Sequence, residues 1–411
     1  MRKAGRRFMI DASMVQGGGG FTYAVNIIPR LARGYPGDRF RVFLRSSQLA
    51  ESMPSLPNLE IDRLREPSLA RRLRFTYGKA PRLAAQWKAD VFYSVGEYAP
   101  VTAPCPVIAS FQNLNVFERS VVDWPLRQKL RLGVLNGLAR LSAKRCDRIH
   151  FVSEHSAQTI GDSLGIPDRK RSWIHHGIDR AEWGPTREAR DPWQRPYILS
   201  VSSIYTYKNY VRLIEAYAEL ARQRPDLPDL VIVGDNQDAP YFERMQRARR
   251  ATGDLAESIH ILGEVPYREI RRYYAEAQLF VFPSYLESFG LPLLEAMASD
   301  VPLVASDLPT IREVAGDAAF YADPRDIHSL ARAMHSALFA PGASEMLVKR
   351  GRERVRAFRW EKTAEQLMAL FESVLQERQF RSKERARRPL FGEVAGMDML
   401  PVAARAIVGQ P

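Results

Sequence analysis

Two glutamates eight residues apart, in the stretch FVFPSYLESFGLPLLEAMASDVPLVASD (280–307), are the side chains best placed to do chemistry. Glu287 follows a predicted strand, and Glu295 lies one turn inside a predicted helix. Pro292 favours a helix start, where its missing N–H is not needed, and Gly290 permits close main-chain approach to a ligand. We therefore predict that a helix start and two carboxylates face an anion or a sugar. Taken alone, either glutamate could equally be a surface charge.

A second candidate site opens the second half of the chain, in ILSVSSIYTYKNYVRLIEAY (198–217). A predicted strand and a short loop lead to Lys208-Asn209 at a predicted helix start. This arrangement suits a phosphate, with the lysine as a point charge for a diphosphate. A bare Lys-Asn pair without this context would indicate only a solvated surface.

A glycine run, QGGGGFTYAV (16–25), follows the first predicted strand and leads into a predicted helix, Phe21–Arg33. Its glycines, Gly18 and Gly19 among them, would let the main chain approach a phosphate or sugar closely. The run does not match the dinucleotide pattern G-x-G-x-x-G with an acidic residue about 20 positions later. Taken alone, it could be a flexible turn.

The elements that must position these residues alternate short β-rich runs with amphipathic stretches, which predicts α/β architecture with parallel sheets. Such sheets bind ligands outside the carboxyl ends of their strands, so two Rossmann-like halves would place the chemistry in a cleft between them. We predict an N-terminal Rossmann-like domain (1–185), a C-terminal Rossmann-like domain (186–378) and a basic tail of unknown role (379–411). The predicted strands are Phe8–Asp11, Phe40–Leu44, Val91–Ser94, Val107–Ser110, Ile149–Ser153, Tyr197–Val201, Leu230–Val233, Ile259–Leu262, Leu279–Phe282 and Pro302–Ala305.

The run 280–307 resembles the signature of the retaining glycosyltransferases of family 4, also described as glycosyl transferases group 1. That signature reads Glu, then Gly-Phe-Gly-Leu-Pro, Glu-Ala-Met-Ala and Gly-x-Pro-Val-Val-Ala. The resemblance implies the GT-B fold, in which two Rossmann-like domains face each other across a cleft. The N-terminal domain (1–185) would bind the acceptor, and the C-terminal domain (186–378) would bind the nucleotide sugar. It also implies a retaining transferase that moves a hexose, with mannose from GDP-mannose expected first, to a glycolipid or polysaccharide acceptor such as a lipopolysaccharide intermediate.

The resemblance also assigns roles to residues. Glu295 would bind the ribose hydroxyls of the nucleotide-sugar donor, Glu287 would contact its sugar and Lys208 would hold its diphosphate. Glu287 and Lys208 are the expected catalytic residues. The expected donor-binding residues are Gly18, Gly19, Ser203, Lys208, Val265, Ser288, Phe289, Gly290, Leu291 and Glu295.

Three positions depart from the family pattern on the donor side. Ser288 and Asp300 stand where the family has glycine, which narrows main-chain freedom and bears on which hexose fits. Ser203 stands where the family often has an arginine, so one positive charge on the leaving diphosphate is missing. Arg212 or a residue of the first domain could compensate.

On the acceptor side, Gln112 and Asn113 replace the His-Asp that the family often places after this strand. Neither amide titrates near neutral pH, so neither can act as a general base, although both can hydrogen-bond an acceptor hydroxyl. The resemblance then implies that the acceptor proton leaves to a phosphate oxygen of the donor. His175 and His176 are interpreted as structural residues near a predicted linker, Asp179–Pro196.

Charge and composition bear on partners and location. Residues 1–185 hold 29 Lys and Arg against 16 Asp and Glu, so the whole formal excess of +13 lies in the first half. Such a half is attracted to an anionic membrane surface. No nucleic-acid-binding motif appears, so nucleic acid is not an expected partner.

Neither metal-ligand spacing nor an Asp-x-Asp appears, which predicts metal-independent chemistry without a cofactor. Prolines interrupt the longest uncharged run, 98–117, so we predict a cytoplasmic protein, peripheral at the inner membrane face.

Two other functions remain open from the sequence. A nucleotide-sugar epimerase or hydrolase of the same shape would release an epimer or free sugar from the donor alone. A non-enzymatic basic module would bind membranes or RNA in a salt-dependent way, without affinity for nucleotide sugars.

Overall fold

The computed structural model describes residues 5–65, 68–118, 120–122, 124, 126–184 and 195–387. Two parallel sheets organise these residues, as the alternating pattern predicts. Most central strands are buried along their whole length, because helices cover both faces of each sheet.

The first sheet has seven strands in the order β3-β2-β1-β4-β5-β6-β7. The five predicted strands are present, and the prediction missed β3 and β7. These two lie at the edges, where half-exposed residues with charges leave no apolar run to detect. The bounds are β1 Arg7–Ala12, β2 Arg39–Leu44, β3 Leu59–Arg63, β4 Val91–Ser94, β5 Val107–Phe111, β6 Arg148–Phe151 and β7 Arg171–Trp173.

The second sheet has six strands in the order β10-β9-β8-β11-β12-β13. Its five predicted strands are present, and the prediction missed the edge strand β13. The bounds are β8 Tyr197–Val201, β9 Asp229–Val233, β10 Ile259–Gly263, β11 Leu279–Phe282, β12 Leu303–Ser306 and β13 Ala319–Ala322.

Helices connect the strands and cover the sheets. Those of the first half are α1 Gly18–Gly34, α2 Ser47–Glu51, α3 Leu69–Arg74, α4 Ala80–Trp87, α5 Leu126–Arg145, α6 Glu154–Leu164 and α7 Arg180–Trp183. Those of the second half are α8 Tyr210–Gln223, α9 Ala239–Ala251, α10 Tyr267–Ala275, α11 Leu291–Ala298, α12 Pro309–Ala315, α13 Ile327–Phe339, α14 Ala343–Arg354 and α15 Trp360–Arg387.

The glycine run differs from its prediction. We expected a loop followed by a helix from Phe21, but α1 begins at Gly18, with Gly17 as its N-cap residue. The run therefore forms the first turn of a helix, and its main-chain N–H groups belong to the positive end of that helix.

The last helix, α15, crosses back onto the first sheet. Phe371 stacks on Phe8 with ring centroids 5.3 Å apart, and Glu372 pairs with Arg6 at 2.5 Å. α15 extends past residue 379, where the predicted tail begins. Residues 388–411 of that tail lie outside the described residues, as does the predicted boundary at 185. The domain limits therefore stay predictions.

No helix of the described residues is long and apolar enough to cross a membrane.

Candidate active site

The carboxyl ends of the two sheets meet through the loop that follows β11, residues 283–290, which we call the donor loop. Leu286 of this loop is buried in the core cluster of the N-terminal domain, together with Phe111 at the end of β5. Nearby, a Cβ atom built on Gly19 would lie 3.6 Å from Leu291 at the start of α11. The glycine run of one domain therefore faces the helix start of the other across the cleft.

Lys208 and Glu287, predicted as the catalytic residues, are in direct contact. Lys208 Nζ lies 2.7 Å from Glu287 Oε1, and both side chains are largely buried. The ammonium group also lies over the rings of Tyr207 and Phe282, at 5.1 and 5.5 Å from their centroids. These contacts fix a positive charge at the carboxyl ends of β8 and β11.

The position of Lys208 depends on Asn209. A 3₁₀ turn, Thr206–Lys208, ends at Asn209, whose φ of 62° is left-handed and permits a sharp entry into α8. Asn209 is buried and donates from Nδ2 to the carbonyls of Pro283 and Pro324, at 2.9 and 2.8 Å. The asparagine thereby ties the lysine turn to the start of the donor loop.

Gly290 makes the bend before α11. Its φ of 94° is left-handed, and a Cβ atom at this position would lie 2.9 Å from Leu293 Cδ1. No side chain among the described residues caps this helix start. Its main-chain N–H groups could therefore donate hydrogen bonds to a ligand, as predicted. Phe289 is buried against His176, with ring centroids 4.9 Å apart.

Glu295 lies one turn into α11 and is only 6% exposed. Its Oε2 accepts a hydrogen bond of 2.9 Å from the hydroxyl of Tyr274. Burial raises the pKa of Glu295 to about 7, and the charge of nearby Glu182 adds to this rise, while the Tyr274 hydrogen bond opposes it. The carboxyl group can therefore change its charge near neutral pH.

Ser288 does more than narrow main-chain freedom. Its Oγ accepts a 2.8 Å hydrogen bond from the N–H of Leu114, in the N-terminal domain. Its carbonyl accepts hydrogen bonds from the hydroxyls of Ser153 and Ser156, at 2.8 and 3.0 Å. The residue that replaces the family glycine thus joins the two domains.

The remaining donor-side residues occupy the predicted loops. Ser203 lies two residues beyond β8, and Val265 lies in the loop between β10 and α10. Arg212, considered as a substitute for the missing arginine, donates a hydrogen bond to the hydroxyl of Tyr285 in the donor loop. Arg325 lies over the Tyr285 ring, 5.3 Å from its centroid. Two positive charges therefore flank Tyr285.

On the acceptor side, Gln112 and Asn113 follow β5, as predicted, but a residue that the sequence reasoning missed organises them. Glu97 Oε1 accepts hydrogen bonds from the N–H groups of Gln112 and Asn113 and from Asn113 Nδ2, at 2.9–3.0 Å. The Gln112 side chain donates to Ser110 Oγ at 3.0 Å. Burial raises the pKa of Glu97. Sequence could have marked Glu97 as a candidate only through its place after a predicted strand. That this strand pairs with β5 is seen only in the structure.

The two histidines behave as the structural interpretation expects. His176 is buried, and burial lowers its pKa to about 3, which keeps its ring neutral. His175 Nε2 lies 2.6 Å from Glu313, whose carboxylate also accepts hydrogen bonds from the first N–H groups of α6. Within the described parts of the chain, no group of His, Cys, Asp and Glu has the arrangement of a metal site.

Comparison with known families accounts for both halves of the chain. Residues 17–182 match the model described as glycosyltransferase family 4, and residues 187–354 match that of glycosyl transferases group 1.

Two of the curated relatives are named mannosyltransferases. An O-antigen chain mannosyltransferase of Salmonella typhimurium is 29% identical over 46% of this chain and 50% of its own length. O-antigen chain mannosyltransferase B of Escherichia coli is 33% identical over 41% of this chain and 43% of its own. The chain thus spans about half the length of the curated relatives that it matches.

Solved structures show the same fold at low identity. A sucrose-phosphate synthase from Thermosynechococcus elongatus superposes with a TM-score of 0.73 at 20% identity, over 90% of this chain and all of that one. Anabaena HepE in complex with UDP-glucose superposes with a TM-score of 0.71 at 16% identity, over 89% and 99%. Because two matching models together account for most of the sequence and the fold agrees throughout, this chain belongs to glycosyltransferase family 4 and has the GT-B fold.

Proposed function

We propose that this glycosyltransferase moves a hexose, mannose first among the candidates, from a nucleotide sugar to a glycolipid or polysaccharide acceptor with retention of the anomeric configuration. The contact between Lys208 and Glu287 carries this proposal, because it joins the residue expected at the diphosphate to the residue expected at the sugar. The bond that breaks lies between those two parts of the donor.

Charge stabilisation is the main contribution that we assign to the protein. As the sugar–phosphate bond breaks, negative charge grows on the leaving diphosphate, while the sugar becomes oxocarbenium-like. Lys208 and the N–H groups at the start of α11 stabilise the first charge, and the Glu287 carboxylate stabilises the second. We therefore propose transfer without a metal ion, with a donor phosphate oxygen taking the acceptor proton, since neither Gln112 nor Asn113 can take it.

Mannose is placed first because both O-antigen relatives are named mannosyltransferases. The structure of HepE with UDP-glucose keeps UDP-hexoses as the competing donors. A thermal-shift panel with GDP-mannose, UDP-glucose, UDP-galactose and UDP-GlcNAc separates them, because a ligand stabilises the folded state according to its affinity. We expect the largest shift with GDP-mannose. A larger shift with a UDP-sugar would replace the donor assignment, and no shift with any of the four would contradict the proposal.

We also propose that the enzyme works at an anionic membrane surface, and that α5 is the part that docks. Leu126, Leu130 and Val134 are spaced four residues apart and are 61–73% exposed, which forms an apolar stripe on one side of this helix. Arg127, Lys129 and Arg131 lie between them in the sequence. An exposed apolar stripe with adjacent basic residues fits the interface of an anionic bilayer.

Co-sedimentation with vesicles tests this surface. We expect binding to vesicles that contain phosphatidylglycerol, weak binding to pure phosphatidylcholine, and loss of binding in Leu130→Asp. Phe380→Asp is the matched control, because Phe380 on α15 is equally exposed at 64%. Indifference to lipid charge would contradict the membrane proposal, and loss of binding only in the Phe380 variant would remove α5 as the docking surface.

A further inference from the structure

Glu97 is a buried carboxylate in the acceptor-side wall of the cleft, and the family resemblance assigns it no role. It follows β4 through Gly96, whose φ of 148° favours glycine, and it is 4% exposed. None of the ion pairs formed between described residues includes it. A buried charge without a cation is costly unless hydrogen bonds replace the lost water. Such a group therefore needs an explanation in terms of what it holds.

Glu97 holds the strand end that faces the acceptor. Three N–H donors, two from the main chain at Gln112 and Asn113 and one from the Asn113 side chain, converge on Oε1. Hydrogen bonds to a charged acceptor are about twice as strong as those between neutral groups. The carboxylate thus sets both the path of the main chain and the orientation of the Asn113 amide.

The next residue along the chain, Leu114, continues this connection into the other domain. Its N–H donates to Ser288 Oγ in the donor loop, directly beside Glu287. Glu97, residues 112–114 and Ser288 therefore form one hydrogen-bonded connection, from the acceptor wall to the loop expected to contact the donor sugar. Movement at Glu97 would change the distance between the two substrates.

We propose that Glu97 is a positioning residue for acceptor transfer, which holds Gln112 and Asn113 at a fixed place relative to the donor loop. This inference rests on the proposed function. Because Glu97 acts through Gln112 and Asn113, its loss should affect attack by the acceptor, while donor binding and donor hydrolysis by water depend on residues other than these two. A misplacement of about 1 Å can lower the rate of a transfer step on the order of 100-fold.

The experiment compares Glu97→Ala and Glu97→Gln with wild type, using GDP-mannose and the three UDP-sugars as donors and octyl α-mannoside and octyl β-glucoside as probe acceptors. Asp38→Asn is the matched control. Asp38 is another buried carboxylate of the same domain, it lies just before β2 and away from the cleft, and it pairs with Arg6. Four quantities are measured: transfer to the octyl glycoside, hydrolysis of the donor without acceptor, nucleotide affinity by calorimetry, and amide exchange of residues 112–114.

We expect Glu97→Ala to lower transfer on the order of 10- to 100-fold, with hydrolysis and nucleotide affinity within about twofold of wild type. Amide exchange at residues 112–114 should become faster. Glu97→Gln should recover part of the transfer, because its carbonyl oxygen still accepts these hydrogen bonds. Equal losses of transfer and hydrolysis, or a Glu97→Ala variant that behaves like Asp38→Asn, would overturn the positioning role and leave the proposed function intact. A wild-type enzyme that neither binds nor consumes any of the donors would overturn the proposed function and this inference with it.

Discussion

The two walls of the cleft carry different polar groups. The C-terminal wall presents an ammonium group paired with a carboxylate, together with the start of α11, which no described side chain caps. The N-terminal wall presents neutral amides and keeps the Glu97 carboxylate buried behind them.

This difference fits the roles that we propose for the two walls. A donor diphosphate would bring negative charge, which Lys208 and the positive end of the α11 dipole can stabilise. An acceptor hydroxyl is neutral and needs orientation, which is supplied by amides whose own positions are fixed by a buried hydrogen-bond acceptor. The donor wall should therefore be sensitive to charge, and the acceptor wall to geometry.

The largest expected effect comes from removing the positive charge of the donor wall. We expect Lys208→Ala to lower kcat for sugar transfer about 100- to 1,000-fold, because the leaving diphosphate loses a preorganised charge and Glu287 loses its partner. Steady-state assays with the preferred donor measure this effect. Lys349→Ala, which removes an exposed lysine of α14 in the same domain, should leave the rate unchanged. A Lys208→Ala enzyme with wild-type turnover would remove the charge argument for this wall.

The same contrast explains what could be predicted from sequence. The donor wall lies within two continuous strand–loop–helix segments, in which Lys208 and Glu287 each follow a buried apolar strand. The match of these segments to the family signature therefore points to both residues, and the structure brings the two side chains together.

The acceptor wall could be predicted only in part. Gln112 and Asn113 were recognised by their place after a strand, but Glu97 lies 15 residues before Gln112 and approaches it only because β4 and β5 are neighbours in the sheet. The tie from Ser288 to Leu114 spans 174 positions and depends on how the two domains face each other. No periodicity or local motif carries such information.

A second prediction concerns the charge of the donor wall as pH changes. Because the pKa of Glu295 is raised to about 7, the folded protein keeps a proton there that the unfolded chain loses near pH 4.5. Stability from this group is therefore present at low pH and is lost as pH rises from 4.5 to 7, by about 3 kcal/mol in total. Glu295→Gln should remove this loss and be the more stable protein at pH 8, as unfolding midpoints at pH 5 and pH 8 would show.

The pH dependence of nucleotide affinity should also depend on the ionisation of Glu295. Ribose hydroxyls that donate to the ionised carboxylate favour loss of its proton, so wild-type affinity should rise with pH through about 7 and binding should release a proton. Calorimetry in buffers of different ionisation enthalpy measures this release. Glu182→Gln should move the rise to lower pH, because one neighbouring negative charge is gone. If Glu295→Gln retained the pH dependence of wild type, Glu295 would not be the ribose-binding residue.

The smallest expected effect tests the geometry of the helix start rather than its charge. Gly290→Ala places a methyl group 2.9 Å from Leu293 in a left-handed main chain, which should cost about 1–3 kcal/mol of stability and turn the N–H groups of α11 away from the donor. Gly137→Ala is the matched control, because Gly137 lies in α5 with open space around it and no left-handed φ. That substitution should stabilise the protein by about 0.5–1 kcal/mol.

Thermal unfolding and nucleotide affinity distinguish the two glycines. The Gly290 variant should lose both stability and affinity, whereas the Gly137 variant should bind as wild type does. If the Gly290 variant lost stability alone, the helix-start amides would not be donors to the nucleotide sugar. The charge of the C-terminal wall would then come from Lys208, and the contrast between the walls would narrow to a single ammonium group.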